Sequence, residues 1–148
     1  MIIDLVQTEA VEMRSQVHAN CVICSPSNKR GLGLEFALSQ NGTVKAAFGC
    51  DKTFQGYDNV LHGGVVASLL DGAMTNCMFA HGCIGVTAEL NVRFRHPVVT
   101  GRTATVHAWI TRWANPLYLA KVEVLQEGQL KATATGKFMD QPDLAAGR

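Results

Sequence analysis

The sequence predicts an α+β fold in which one antiparallel sheet wraps around one long buried helix. Three observations predict it. Residues 62–80 (HGGVVASLLDGAMTNCMFA) are apolar around most of a helical circumference, which marks a helix covered on nearly all sides. Four later segments alternate apolar and polar residues with a period of two. Short turn pairs link successive strands, and hairpin links imply antiparallel pairing. A buried helix and a single sheet must then cover each other.

Taken in order, Leu5 to His18 read as a first helix within an N-terminal extension, residues 1–20. Residues 21–30 (CVICSPSNKR) are rich in Ser, Pro and Asn and read as a loop. Leu32, Leu34, Phe36 and Leu38 alternate with Gly33, Glu35 and Ala37, the pattern of a half-buried strand. Asn41-Gly42 is a favoured pair for a two-residue hairpin turn, and Val44, Ala46 and Phe48 make the return strand. In the long helix Val65, Val66, Leu69, Leu70, Ala73, Met74, Cys77 and Met78 form the apolar surface, and Gly82 suits its end. Of the four strands that follow, the first places Ala88, Leu90, Val92 and Phe94 on one face. It places Thr87, Glu89, Asn91, Arg93 and Arg95 on the other. Ala104 to Ile110, Ala120 to Val124 and Ala132 to Phe138 make the remaining three, broken at Pro97, Gly101, Asn115-Pro116 and Glu127-Gly128. The whole chain, 1–148, is expected to form one domain, with a loose tail over 140–148.

Composition bounds the function. Apolar residues make up 47% of the 148 residues and charged residues 17%, which excludes disorder and weakly favours burial against another subunit. The formal net charge is +1, so there is no broad basic field for a nucleic-acid backbone. The N-terminus carries Asp4, Glu9 and Glu12 without a basic region, and no uncharged stretch reaches the roughly 20 residues of a membrane span. A soluble, cytoplasmic protein with no membrane partner is expected. Five cysteines, an odd count, suggest reduced thiols.

The candidate chemistry lies on the long helix. His62-Gly63-Gly64 opens it, where free N–H groups and a partial positive charge can stabilise an oxyanion. The glycines allow close approach of a ligand, although a tight turn before a packed helix needs the same residues. Asp71 is the only acid in the helix, and a buried carboxylate is costly unless it is used or paired. Gly64, Ser68, Asp71 and Thr75 recur at helical spacing as one narrow polar stripe, so Ser68 and Thr75 are expected to hydrogen-bond and orient the carboxylate. Gly63 and Asp71 lie eight residues apart, about 12 Å along the helix axis. A base and an oxyanion donor must both reach the same carbonyl within roughly 3 Å. One helix cannot supply both, whereas two helices antiparallel across a two-fold axis can. An active site built this way lies between subunits.

The stretch FQGYDNVLHGGVVASLLDGAM, followed by GVTAELNVRFRHPV and preceded by CVICSPSNKRGLGLEF, resembles the PaaI-like (phenylacetate-pathway) branch of the hotdog-fold thioesterases. The resemblance spans roughly residues 21–139. It implies a hotdog fold, a homodimer or dimer of dimers, and hydrolysis of acyl-CoA to a free acid and CoA. No metal and no cofactor beyond the CoA of the substrate are implied. Carried over by position, Asp71 matches the carboxylate that acts as base or nucleophile, and Gly63 the amide that polarises the carbonyl. Thr75 matches a hydroxyl one turn beyond the acid. Gln55 matches an amide side chain placed before the HGG, with Asn59 the other candidate for that place. Gly72 stands where many relatives carry Glu.

Other groups carry less. Arg93, Arg95 and His96 end a strand as a basic cluster suited to CoA phosphates, or as an ordinary solvated face. Met74, Met78 and Phe79 could line an acyl pocket, though packing accounts for them equally. His18, Cys21 and Cys24 have zinc-like spacing, but no second ligand pair follows at a suitable distance. Two rivals remain: a non-catalytic acyl-CoA-binding or sensing module, and a hydratase or dehydratase in which His62 turns into the pocket.

Overall fold

The computed structural model describes residues 2–39 and 41–146, with side chains over 9–39 and 41–145. Helix α1 (Ile2–Val17) leads into an irregular strap over residues 18–36. Strands β1 (Ala37–Leu38) and β2 (Val44–Gly49) follow, then helix α2 (Gly63–Ala80). Strands β3 (Gly85–Phe94), β4 (Thr103–Ala114), β5 (Leu117–Gln126) and β6 (Gln129–Asp140) complete the sheet, and a short turn of helix, α3 (Asp143–Ala146), ends it. The strands form one antiparallel sheet in the order β1-β2-β4-β5-β6-β3. Helix α2 packs against β2 to β6, so the sheet curls around it as the alternation predicts. No helix of the described residues is long and apolar enough to cross a membrane.

Both ends of α2 are built by local chemistry. His62 is its N-cap. At the other end Gly82 adopts φ +75°, and the Cys83 N–H reaches back to the Met78 carbonyl at 2.9 Å. That left-handed residue satisfies carbonyls the helix would otherwise leave orphaned. Leu69, Leu70, Ala73, Met74, Cys77 and Met78 are fully buried against Val106, Ala108, Val122, Val124 and Phe138.

Four details depart from the sequence reading. The period-two segment from Leu32 is a strand only at Ala37–Leu38. Leu34 and Phe36 are buried as the alternation implies, but the Leu32 and Leu34 amides bond the Val22 and Ile23 carbonyls of the strap. Alternation reports which side is buried, not which backbone supplies the partner. At the first hairpin, Ser39 N–H bonds Thr43 O, so the connection is longer than a two-residue Asn41-Gly42 turn. Within β3 the register shifts between Thr87 and Glu89, which leaves Ala88 exposed and turns Thr87 towards α2. Of the tail, residues 143–146 form α3, while 147–148 lie outside the described residues. By contrast, Glu127-Gly128 forms the expected tight turn, with both φ angles positive and Gln126 paired to Gln129.

Helix α1 and the strap cover the side of α2 that the sheet leaves open. Gly72 shows how closely the strap packs: a Cβ there would stand 2.4 Å from Ile23 Cγ2. Ile23 occupies the space that a side chain at residue 72 would need.

Candidate active site

The chain enters α2 through a loop folded back on itself. Gly56 N–H bonds Val60 O at 2.9 Å, His62 N–H bonds Phe54 O at 2.9 Å, and Leu61 N–H bonds Val98 O at 2.8 Å. Asn59 turns the corner at φ +65°. This geometry delivers His62 to the cap position, where its Nδ1 accepts the Gly64 N–H at 2.8 Å. The imidazole is thereby committed to the backbone, with its proton on Nε2. Val65 and Val66 N–H both bond His62 O. Gly63 N–H is left without a partner among the described residues, at the positive end of the helix dipole. Gly63 is exposed and faces a cavity of about 470 Å³ lined by Tyr57, Val66, Phe94, Arg95 and His96 among others. Tyr57 is 87% exposed and Phe94 57%, so the mouth presents two aromatic rings to solvent.

Asp71 sits in a second cavity of about 240 Å³, with His18, Thr75, Phe79, Val86 and Thr87 in its wall. Its Oδ1 accepts the Thr87 hydroxyl at 2.6 Å. Here the expected partners are corrected. Ser68 Oγ bonds Gly64 O at 2.9 Å and Thr75 Oγ1 bonds Asp71 O at 3.0 Å. A hydroxyl on a helix finds the carbonyl four residues back more readily than a side chain three or four residues away. The group that orients the carboxylate comes from β3 instead, and the bulge is what aims it. Sequence reasoning missed Thr87 because strict alternation sends it to the outer face. Tyr57 and Phe94 were also missed as site residues; an aromatic next to the HGG loop was the available signal.

The two cavities share no lining residue. Gly63 and Asp71 therefore face separate spaces within one chain. The loop candidates stand apart from both: Gln55 Oε1 accepts the Asn59 N–H at 3.2 Å, and neither side chain lines either cavity. The basic cluster divides. Arg95 and His96 line the Gly63 cavity, whereas Arg93 lies on the outer face of the sheet with Trp109 and Glu123. Alternation along β3 separates it from Val92, which packs on the core. Arg102 pairs with Glu127 at 2.7 Å.

All five cysteines are free thiols. Burial pushes the Cys77 thiol up to about 12, and burial with the nearby Asp140 charge pushes Cys83 up to about 11. Both stay protonated and serve as packing. Cys21 and Cys24 differ, because they converge with His18.

A family model described as the thioesterase superfamily matches residues 58–133. Acyl-coenzyme A thioesterase THEM4 of Bos taurus is 30% identical over 114 residues, covering 74% of this chain and 47% of that protein. The chain thus spans about half the length of that relative. The PaaI protein of the phenylacetic acid degradation operon of E. coli has a TM-score of 0.77 at 17% identity, over 92% of this chain and 96% of that one. The smu.793 protein of Streptococcus mutans UA159, solved bound to acetyl CoA, has a TM-score of 0.69 at 17% identity, over 73% of this chain and 88% of that one. These structural likenesses establish the shared fold, the hotdog architecture that the sequence implied.

Proposed function

The chain belongs to the thioesterase superfamily, and on that premise we propose that it hydrolyses acyl-CoA thioesters to a carboxylic acid and CoA at a site shared by two protomers. The observation that carries this reading is the unpartnered Gly63 N–H at the mouth of an apolar cavity, combined with a carboxylate held by a hydroxyl further along the same helix. The curated relative is named for acyl-CoA hydrolysis, and a structural neighbour holds acetyl CoA.

In the proposed reaction the thioester oxygen sits against Gly63 N–H. Thr87 fixes one oxygen of Asp71, which leaves the other free. That oxygen takes a proton from a water whose oxygen attacks the carbonyl carbon. The resulting oxyanion is held by the helix terminus, the C–S bond breaks, and the CoA thiolate takes up the proton. Direct attack by Asp71, forming an anhydride that water then opens, uses the same contacts. In a single turnover in ¹⁸O-water, label in the Asp71 carboxylate identifies the second path, with water opening the anhydride at the Asp71 carbon. Arg95 and His96 suit the phosphates of CoA.

The two-protomer arrangement is supported by distance. Eight residues of helix separate Gly63 from Asp71 by about 12 Å, too far for one carbonyl. Strand β3 is a ten-residue edge with Val86 and Phe94 exposed, and long apolar edges are normally covered. A homodimer or dimer of dimers covers that edge and brings Asp71 of one protomer to Gly63 of the other. Free thiols fit the reducing cytoplasm.

The test is release of thiol from a panel of acyl-CoAs, read with a disulfide dye, for the native protein and Asp71→Asn. Turnover by the native protein with loss in the variant is expected. Tight CoA binding without thiol release from any substrate would replace this reading with a sensor.

A further inference from the structure

The strap contains a cluster that the proposed reaction does not use. His18 extends α1 by one residue, its N–H bonded to Arg14 O at 2.7 Å. The chain then turns so that Cys21 N–H bonds His18 O and Ser25 N–H bonds Cys21 O. Ser25 Oγ closes the turn on Ala19 O at 2.7 Å. The result gathers a His nitrogen and the sulfurs of Cys21 and Cys24 within 4.8 Å of one another. Spacing alone offered only a half-site. Folding supplies three converging donors from seven residues.

We propose that His18, Cys21 and Cys24 bind a single thiophilic divalent cation, zinc(II) by preference, which fastens the strap to the end of α1. Three features of the geometry argue for it. Tetrahedral zinc with Zn–S of about 2.3 Å and Zn–N of about 2.0–2.1 Å places ligand sulfur and nitrogen roughly 3.5–3.6 Å apart. Cys24 Sγ and His18 Nδ1 are 3.6 Å apart. The Ile23 N–H points at Cys21 Sγ at 3.3 Å, a donor that favours the thiolate a metal requires. The donor set of two sulfurs and an imidazole is soft, and it contains no carboxylate that would favour calcium or magnesium. Binding releases two thiol protons to solvent, so two thiolates neutralise the cation. Water or an external donor takes the fourth position.

The site also has a mechanical consequence. Ile23 lies between the two cysteines and is the residue wedged against Gly72, next to Asp71. The His18 ring meets Phe79 edge-on at 4.9 Å and lines the Asp71 cavity. A cation here holds one wall of that cavity in place. The inference concerns binding and stands apart from the hydrolase reading.

The test uses the full chain, stripped with a chelator under reducing conditions and titrated with Co(II), then Zn(II). One Co(II) per chain is expected, with thiolate-to-cobalt charge transfer and the intense visible bands of a tetrahedral centre, displaced by Zn(II). Cys21→Ser and Cys24→Ser lose the charge-transfer band, while Cys83→Ser keeps it, and circular dichroism verifies folding of each. Zn(II) raises the melting temperature of the native chain and Cys83→Ser but not of the two ligand variants. Sub-stoichiometric cobalt, or a weak octahedral spectrum without charge transfer, overturns the site. So does a Cys21–Cys24 disulfide in protein isolated with thiols alkylated and no chelator, which identifies a redox pair in place of a metal centre.

Discussion

The N-terminal mouth and the middle of α2 are built from the same helix yet treated in opposite ways. At the mouth, His62 saturates Gly64 N–H and leaves Gly63 N–H open, and Tyr57 and Phe94 stand exposed around it. At the middle, the strap closes over the helix and the carboxylate is tethered by Thr87. One region leaves an N–H donor open, while the other holds a carboxylate in fixed orientation. The contrast teaches that Gly63 and Asp71 face different spaces within one chain, so the proposed reaction needs a second protomer. It is the expected layout when a two-fold axis supplies the missing half.

Breaking either half separately gives the largest effects. Asp71→Asn should lower kcat about 10²- to 10⁴-fold with folding intact. Gly63→Pro should lower it about 10²- to 10³-fold, because proline suits the first helical position yet removes the N–H. A Cβ at Gly63 lies an ordinary 3.7 Å from the Phe94 ring, so that atom of the new ring has room. Mixing the two inactive variants is the sharper measurement. A heterodimer of Asp71→Asn with Gly63→Pro contains one native site and one doubly altered site, so it should recover about half the native activity per dimer. Assays after unfolding and refolding the mixture read this directly. No recovery means that each site lies within one chain.

Thr87 tests the middle region with a smaller change. Thr87→Val removes the hydrogen bond to Asp71 and keeps the shape. A bond to a charged group is worth about 1.5–3 kcal/mol, so kcat/KM should fall roughly 10- to 100-fold. Thr87→Ser should restore most of it. Equal activity in all three proteins would separate the carboxylate's orientation from catalysis.

The same comparison explains how far the sequence could be read. The buried helix was legible because its apolar residues cover the circumference, and Glu127-Gly128 because glycine suits the positive φ of a tight hairpin turn. Gly63 and Asp71 stood out as residue types that a packed helix does not require. Thr87 was hidden: a single bulge reverses which side chains face the helix, and no local residue preference marks it. The division of the basic cluster was hidden for a related reason, since Arg93 and Arg95 flank the end of β3 and part company where the strand stops. The loop at residues 21–30 was legible, but its pairing with Leu32 and Leu34 was hidden, because those amides bond loop carbonyls that carry no periodic signal.

Gly72 sharpens the comparison from the covered side and should have the smallest effect on turnover. Its missing Cβ is what lets Ile23 seat on α2, and a methyl placed 2.4 Å from Cγ2 must displace that side chain. Gly72→Ala should therefore destabilise the chain by about 1–3 kcal/mol through overpacking, less the roughly 0.8–1 kcal/mol that Ala gains over Gly in helix propensity. The loss is read as a lower midpoint in urea with an unchanged slope. Ile23→Ala in the same chain opens the space, so the double variant should lose less than the sum of the two single changes. If the strap matters only as a cover, turnover at the Gly63 mouth should persist in Gly72→Ala below its transition. If the strap also sets the Asp71 cavity, KM should rise while Gly63 stays intact, and the two regions will have proved coupled through one wedged side chain.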